Sequence, residues 1–497
     1  MPNPRARHAP LLALAAALAL APAARAQDPS HEEVRRLAGA FLGDTPLLRD
    51  LQSLVDEVGG RATGSEANLR SVEWALARFR DAGVDARREE FTMPTLWLER
   101  AASAVVQGEG VSFSPRVAAM PFSAPTPRGG TRAPLLDAGT GAEADFARLG
   151  GRARGAFLLV ETRELEDVEG LFREYAEAAG IEKRAFAAGV AGVVYVGSRP
   201  GNGLYRHNVS VGAANTRPML VMERDAGLRA LRLLRTGKPL VLSADLDLRT
   251  GPAYPSYNVV GEIRGATRPD EVVVMGAHLD SWDLGGGALD NGANVVALID
   301  VARQMKRLGI RPARTIRFVL WNGEEQGMIG SWGYTRSHAA ELDRHVMASS
   351  FDIGCGRITG FFTGGRPEVA AATDRALAPI AGLGPFTQVD QPIVGTDNFD
   401  FMLEGVANLV ANQEPAEYGP NYHARSDEFH RCDPQQLRLN TAVAAALAYG
   451  FASDPASFPR HTRADLEALM RRTDLEQQMR SMGVWEEWAA GRRGRTR

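Results

Sequence analysis

The sequence predicts an α/β protein, a mixed and mostly parallel sheet flanked by helices, into which a β-rich domain is inserted. Three observations predict it. From Tyr257 onward, short apolar β-type runs alternate with amphipathic helical segments, joined by connections of the length that parallel strands require. Residues 100–250 interrupt that rhythm with short β-rich runs separated by Gly and Pro clusters. A chain of 497 residues also exceeds what one core organises, so two or three domains are expected.

In chain order, residues 1–26 read as a secretory signal. Arg5 and Arg7 supply the positive start, Leu11 to Ala21 the apolar core and Ala24-Arg25-Ala26 the small-residue cleavage site. The apolar run is too short for a stable span, although a retained anchor is the alternative. Cleavage removes three Arg and no acid, moving the formal net charge from −3 to −6. A nucleic-acid partner, which calls for a basic face, is therefore not expected, nor is a membrane partner once the signal is gone. The expected location is exported, periplasmic or extracellular.

Residues 27–99 begin the α/β domain. Glu32 to Val58 carries helical apolar spacing (Leu37, Phe41, Leu47, Leu51, Leu54, Val55) and stops at Gly59-Gly60. Arg61 to Ser65 is a turn, and Ser65 with Asn68 starts a helix that ends near Gly83. In the insert, β-type runs fall at Ala102–Val106, Ala156–Val160, Val190–Val196, Pro218–Val221 and Leu240–Ala244, with one helix from about Val168 to Gly189. No acids or histidines there have ligand spacing, so the insert is expected to cover or shape a site elsewhere. Asn208-Val209-Ser210 fits a glycosylation acceptor, a common triplet given no role.

Residues 251–460 complete the domain. Strands are expected at Val272–Met275, Thr315–Trp321, His345–Phe351 and Leu409–Ala411, with helices at Ala293–Leu308, from about Gly330, and at Thr441–Phe451. Residues 461–497 read as a charged helical tail, frayed and exposed. The two cysteines, Cys355 and Cys432, are compatible in an exported protein with one disulfide or with two buried thiols, and the sequence leaves both open.

His278, Asp290, Glu325, Asp352 and His423 each follow a predicted strand or lie in the loop after one. They are expected to converge on the carboxyl rim of the sheet, where open α/β folds place their chemistry. Imidazole and carboxylate are ligands that zinc accepts. Three carboxylates, two divalent ions and a bridging hydroxide sum to neutrality, whereas one zinc would leave carboxylates crowded together unneutralised. Charge counting thus favours two Zn2+. Glu324 precedes Glu325, and on an extended backbone the pair points to opposite sides. Glu325 can then hold metal while Glu324 faces water and substrate as a general base. Asp280, two residues beyond His278, is placed to accept its second ring N–H.

The stretches HLDSWDLGGGALDN (278–291), LWNGEEQGMIGS (320–331), the Asp of SSFDIG and the YHARSD loop resemble the co-catalytic, di-zinc exopeptidase family, most closely its carboxypeptidase Q branch. The resemblance spans roughly Leu51–Phe451, with residues 100–250 resembling a protease-associated domain. It implies the zinc exopeptidase fold and a secreted exopeptidase acting on short peptides or dipeptides. It further implies that Asp290 bridges two zincs, that His278 and Asp352 complete one site and Glu325 and His423 the other, that Glu324 is the base, and that Asp280 supports His278. Tyr422 matches a tyrosine that in folate hydrolase helps hold the carbonyl oxygen. Two positions depart from the usual pattern, Asn291 after the bridging acid and Glu428 after Asp427. A single-zinc glutaminyl cyclase and a non-catalytic receptor-like ectodomain are the competing expectations. The sequence does not say which peptide end is gripped, with Asp397, Asn398 and Arg425 as candidates, nor the oligomeric state, a homodimer being one option.

Overall fold

A computed structural model describes residues 29–496, so the expected signal peptide lies outside the described residues. Seven strands form the main sheet, in the order 85–93, 254–263, 314–321, 268–278, 345–350, 408–413, 358–362. The four strands from 314–321 to 408–413 run parallel, and the three outer ones each pair antiparallel with their neighbours. The strand Arg268–His278 lies at the centre and is buried from Val272 onward, which explains why its sequence is continuously apolar rather than alternating. Helices Ala293–Arg307 and Pro434–Ser453 pack on one face with Pro29–Phe41, around Val273, Met275, Leu298, Leu447 and Phe41. The predicted α/β class is the one observed.

The structure departs from sequence expectation in four places. The helical spacing from Glu32 to Val58 is divided into Pro29–Phe41, Leu47–Gln52 and a wider turn Ser53–Val58, with Pro46 standing at the break. The edge strand Asp85–Met93 went unpredicted because its sequence, DARREEFTM, is charged, as suits a strand with one side open to water. The insert is less purely β than expected, since Glu143–Leu149 and Arg224–Arg235 join Val168–Ala188 as helices beside its eight-stranded sheet.

The fourth correction concerns the C-terminal tail, which is neither frayed nor exposed. Helices Arg463–Arg472, Leu475–Ser481 and Trp485–Ala489 bury Leu466, Leu469, Met479 and Trp488 against Phe399, Met402 and Met328. Apolar residues at helical spacing were present in the tail but masked by its many charges. Arg493, 3% exposed, locks the end by forking onto Asp400 at 2.7 and 2.8 Å.

The insert leaves and rejoins the main sheet through one two-stranded ribbon. Met93 pairs with Tyr254 on the main-sheet side, and three residues on, Leu96 pairs with Gly251 on the insert side. Cys355 and Cys432 are joined in a disulfide that ties the loop after Asp352 to the segment after His423. No helix among the described residues is long and apolar enough to cross a membrane.

Candidate metal centre

Parallel strands deliver their carboxyl ends to one rim, and the centre assembles there. His278 ends the strand Arg268–His278, Glu324 and Glu325 follow Arg314–Trp321, and Asp352 follows His345–Ser350. Asp290 lies in the irregular turn before helix Ala293–Arg307, and His423 in the loop beyond the strand Asn408–Gln413. The structure brings all five predicted ligands together. Asp290 is central, with Oδ1 at 3.1 Å from His278 Nε2 and Oδ2 at 3.4 Å from His423 Nε2. Each imidazole nitrogen also meets a second carboxylate, His278 with Asp352 at 2.9 Å and His423 with Glu325 at 2.8 Å. The result is two half-sites sharing one aspartate.

The electrostatics show a shortage of positive charge. Burial, reinforced by neighbouring acids, lifts the Glu324, Glu325 and Asp352 carboxyls above their ordinary range. Burial pushes His278 down, but Asp352 and Asp290 outweigh it and hold its imidazole well above its usual value. Asp290 alone among the ligand acids is held low, because the bond from His278 and the charges of His278, His423 and Arg61 overcome its burial. Asp290 Oδ2 and Glu325 Oε1 are buried without a hydrogen-bond partner. Crowded carboxylates, two ring nitrogens directed at them and orphaned ligand-type oxygens fit divalent cations of the zinc type.

Supporting groups fix this geometry, and several had no signal in the sequence. His278 Nδ1 meets the backbone carbonyl of Asp280 at 2.9 Å, while the Asp280 carboxylate stands 3.7 Å away. That carboxylate instead accepts from Thr63 Oγ1 at 2.7 Å, Gly323 N at 3.0 Å and Glu324 N at 3.4 Å. Asp280 therefore orients His278 through its carbonyl and the Glu324–Glu325 turn through its side chain. Asp427 accepts from Leu289 N at 2.7 Å and Asp290 N at 3.1 Å, and burial with Asp290 nearby pushes it up to about 7. Asn291, one of the two unusual positions, donates to the carbonyl of Phe351 at 2.7 Å and so braces Asp352.

Arg61, fully buried, donates to the carbonyls of Leu279, Gly286 and Gly287 at 2.5, 2.7 and 2.9 Å. Burial lowers it to about 10 against the pull of Asp427 and Asp280. Gly287 has φ +64°, and a Cβ there would lie 2.5 Å from that of Ser281, so glycine is required where the chain wraps this guanidinium. Tyr422 stacks on His423 with ring centroids 3.7 Å apart.

The insert also reaches the centre. Arg206 N donates to the His423 carbonyl at 3.0 Å, and the Arg206 carbonyl lies 3.2 Å from His423 Nδ1. The Arg206 guanidinium, 1% exposed, grips Asp283 at 2.8 and 2.9 Å, Glu99 at 2.7 Å and the Ala119 carbonyl at 2.7 Å. Asn208 donates to the Glu325 carbonyl at 2.8 Å, so the glycosylation triplet is turned inward and serves as a brace. The insert thus supports two of the predicted ligands.

This fold and this cluster of side chains fit a zinc metallopeptidase. Residues 258–448 match the model of Peptidase family M28. The chain is 28% identical to Carboxypeptidase Q of Mus musculus over 82% of this chain and 86% of that one. It is 25% identical to a probable lipoprotein aminopeptidase of Mycobacterium tuberculosis, over 84% and 85% of the two chains. Among solved structures, a Peptidase M28 precursor from Shewanella amazonensis superposes with a TM-score of 0.78 at 26% identity, covering 87% of this chain and 99% of that one. A zinc aminopeptidase from Bacillus subtilis shares the fold, with a TM-score of 0.64 at 23% identity over 81% and 93% of the two chains.

Proposed function

We propose that this chain is an exported exopeptidase that holds two zinc ions and releases terminal residues from short peptides or dipeptides. The observation that carries the two-ion reading is the Asp290 carboxylate, whose two oxygens face different imidazoles, each already matched to its own second acid. His278 and Asp352 would hold one ion, Glu325 and His423 the other, with Asp290 common to both. Zinc supplies Lewis acidity toward a peptide carbonyl and acidifies water.

The chain's own residues do the rest. Glu324 is half-buried, with a carboxylate oxygen clustered within 4.8 Å of a His278 nitrogen and an Asp352 oxygen. Its turn is fixed by Asp280 and its carboxyl is raised by burial, which suits a base that takes a proton from water and returns it to the leaving amine. Tyr422, stacked on His423, is the candidate that the resemblance offers for holding the carbonyl oxygen. Export is supported by the signal-like residues 1–26 and by the lipoprotein description of one relative.

Glu324→Gln tests the base assignment. It should retain the metal content of the parent while kcat on a dipeptide falls about 10²–10⁴-fold. A fully active variant would refute the role. Metal analysis should find two zinc ions per chain, and a panel of free, amino-blocked and carboxyl-blocked dipeptides should identify the end that is recognised.

A further inference from the structure

A second cavity, of about 240 Å³, lies wholly within the insert, between residues 120 and 221. It exceeds the ~150 Å³ apolar cavity that accepts benzene and falls below the ~300 Å³ lower bound of drug-sized pockets, so it suits a small metabolite. Its floor is apolar, with Val160, Ala178 and Ile181, and is interrupted by the Tyr195 hydroxyl, which is buried without a partner. Most charges around it are already matched. Glu174 accepts from Ser198 at 2.6 Å and Arg199 at 3.0 Å, Glu161 pairs with Arg235 at 2.6 Å, and Arg184 donates to the Gly141 carbonyl at 2.7 Å. Two lining charges of opposite sign, exposed Arg163 and exposed Glu177, have no ion-pair partner among the described residues.

We propose that this cavity binds a free amino acid with a medium-sized apolar side chain. The side chain would fill the floor, the carboxylate would face Arg163 and the ammonium Glu177. The chemistry is that of an exopeptidase product, and to that extent the physiological identity of the ligand rests on the reading above. The cavity is also connected to the metal centre. Tyr205 and His207 line it, while the backbone of the intervening Arg206 holds His423 and the side chain of the following Asn208 holds the Glu325 carbonyl. One short segment therefore presents alternate residues to the two sites, and a ligand seated against Tyr205 and His207 acts on the segment that positions two metal ligands.

The test uses L-leucine as probe and calorimetric titration on full-length Glu324→Gln protein, which removes turnover from the readout. One site per chain is expected, retained after chelation of the metal. Ala178→Phe, which fills the floor, and the surface double variant Arg163→Met/Glu177→Gln should each weaken binding at least tenfold; the second leaves the packed floor intact if the first fails to fold. Leucine binding that is lost on chelation and unchanged in the double variant would place the ligand at the metal centre and overturn the proposal. Absence of binding would overturn it as well. Failure of peptidase activity in the parent protein, with chelator-resistant leucine binding preserved, would instead refute the proposed function and leave the cavity assignment standing.

Discussion

Arg206→Met offers the sharpest check on the claim that the insert supports the metal centre. The variant removes a 1% exposed guanidinium that joins Glu99, itself 13% exposed, to Asp283, 29% exposed. Breaking one side of a buried charge pair costs about 3–5 kcal/mol. Asp283 is open enough to regain water, so most of the penalty falls on Glu99 and the lower end applies, about 3 kcal/mol. The His423 contacts are made by the Arg206 backbone and survive the substitution, but the segment carrying them loses its anchor. Zinc affinity should then fall about tenfold, the low end for loss of a group that orients a ligand. Arg206→Lys keeps the charge without the fork and should fall between the two. Urea denaturation measures the first effect, and competition with a chelating dye the second. A variant that is destabilised yet binds zinc with parental affinity would refute the idea that this anchor reaches the metal.

Three further outcomes follow from the geometry. Replacing Cys355 and Cys432 with Ala opens a link between residues 77 apart, for which chain-entropy arguments give about 4.5 kcal/mol, so the denaturation midpoint should drop markedly; an unchanged midpoint would contradict this. His345 is buried neutral, between the Tyr334 hydroxyl and the Glu341 carbonyl at 3.0 Å each, and burial lowers it from 6.5 to about 4. The unfolded chain then binds more protons than the folded one between those values. Stability from this group is complete above pH 6.5 and is lost as pH falls through 4, about 3 kcal/mol in all; His345→Gln should flatten that part of the acid-denaturation curve. Arg493→Met unlocks Asp400 and the carbonyls of Gly327 and Met328, whose own N–H groups cap the Glu324 carbonyl. It should lower kcat more than it raises KM, and equal changes in both would argue against a positioning role.

The rim of the sheet was legible because its causes are local. Apolar runs ending at His278, Trp321 and Ser350 announce buried parallel strands, and ligand-type residues just beyond them must face the same edge. What could not be read were contacts made by backbone. Arg206 holds His423 through a carbonyl and an amide, which every residue possesses, so no residue type marks the position. Arg61 looked like part of a turn because its three acceptors are carbonyls more than two hundred residues away. The tail deceived for another reason: its apolar residues are spaced to pack, but the partner surface around Phe399 exists only after the chain has folded.

The narrow two-stranded connection to the insert has a consequence for how substrates come and go. A domain held at one ribbon is free, in principle, to swing about it. Here that domain is also fastened to His423 and Glu325, so a wide swing about the ribbon would drag on the imidazole and on the glutamate's peptide group. Under the proposed function, admitting a bulky polypeptide by such a swing and keeping the metal in place would be opposed requirements, which agrees with the short-peptide substrates proposed above.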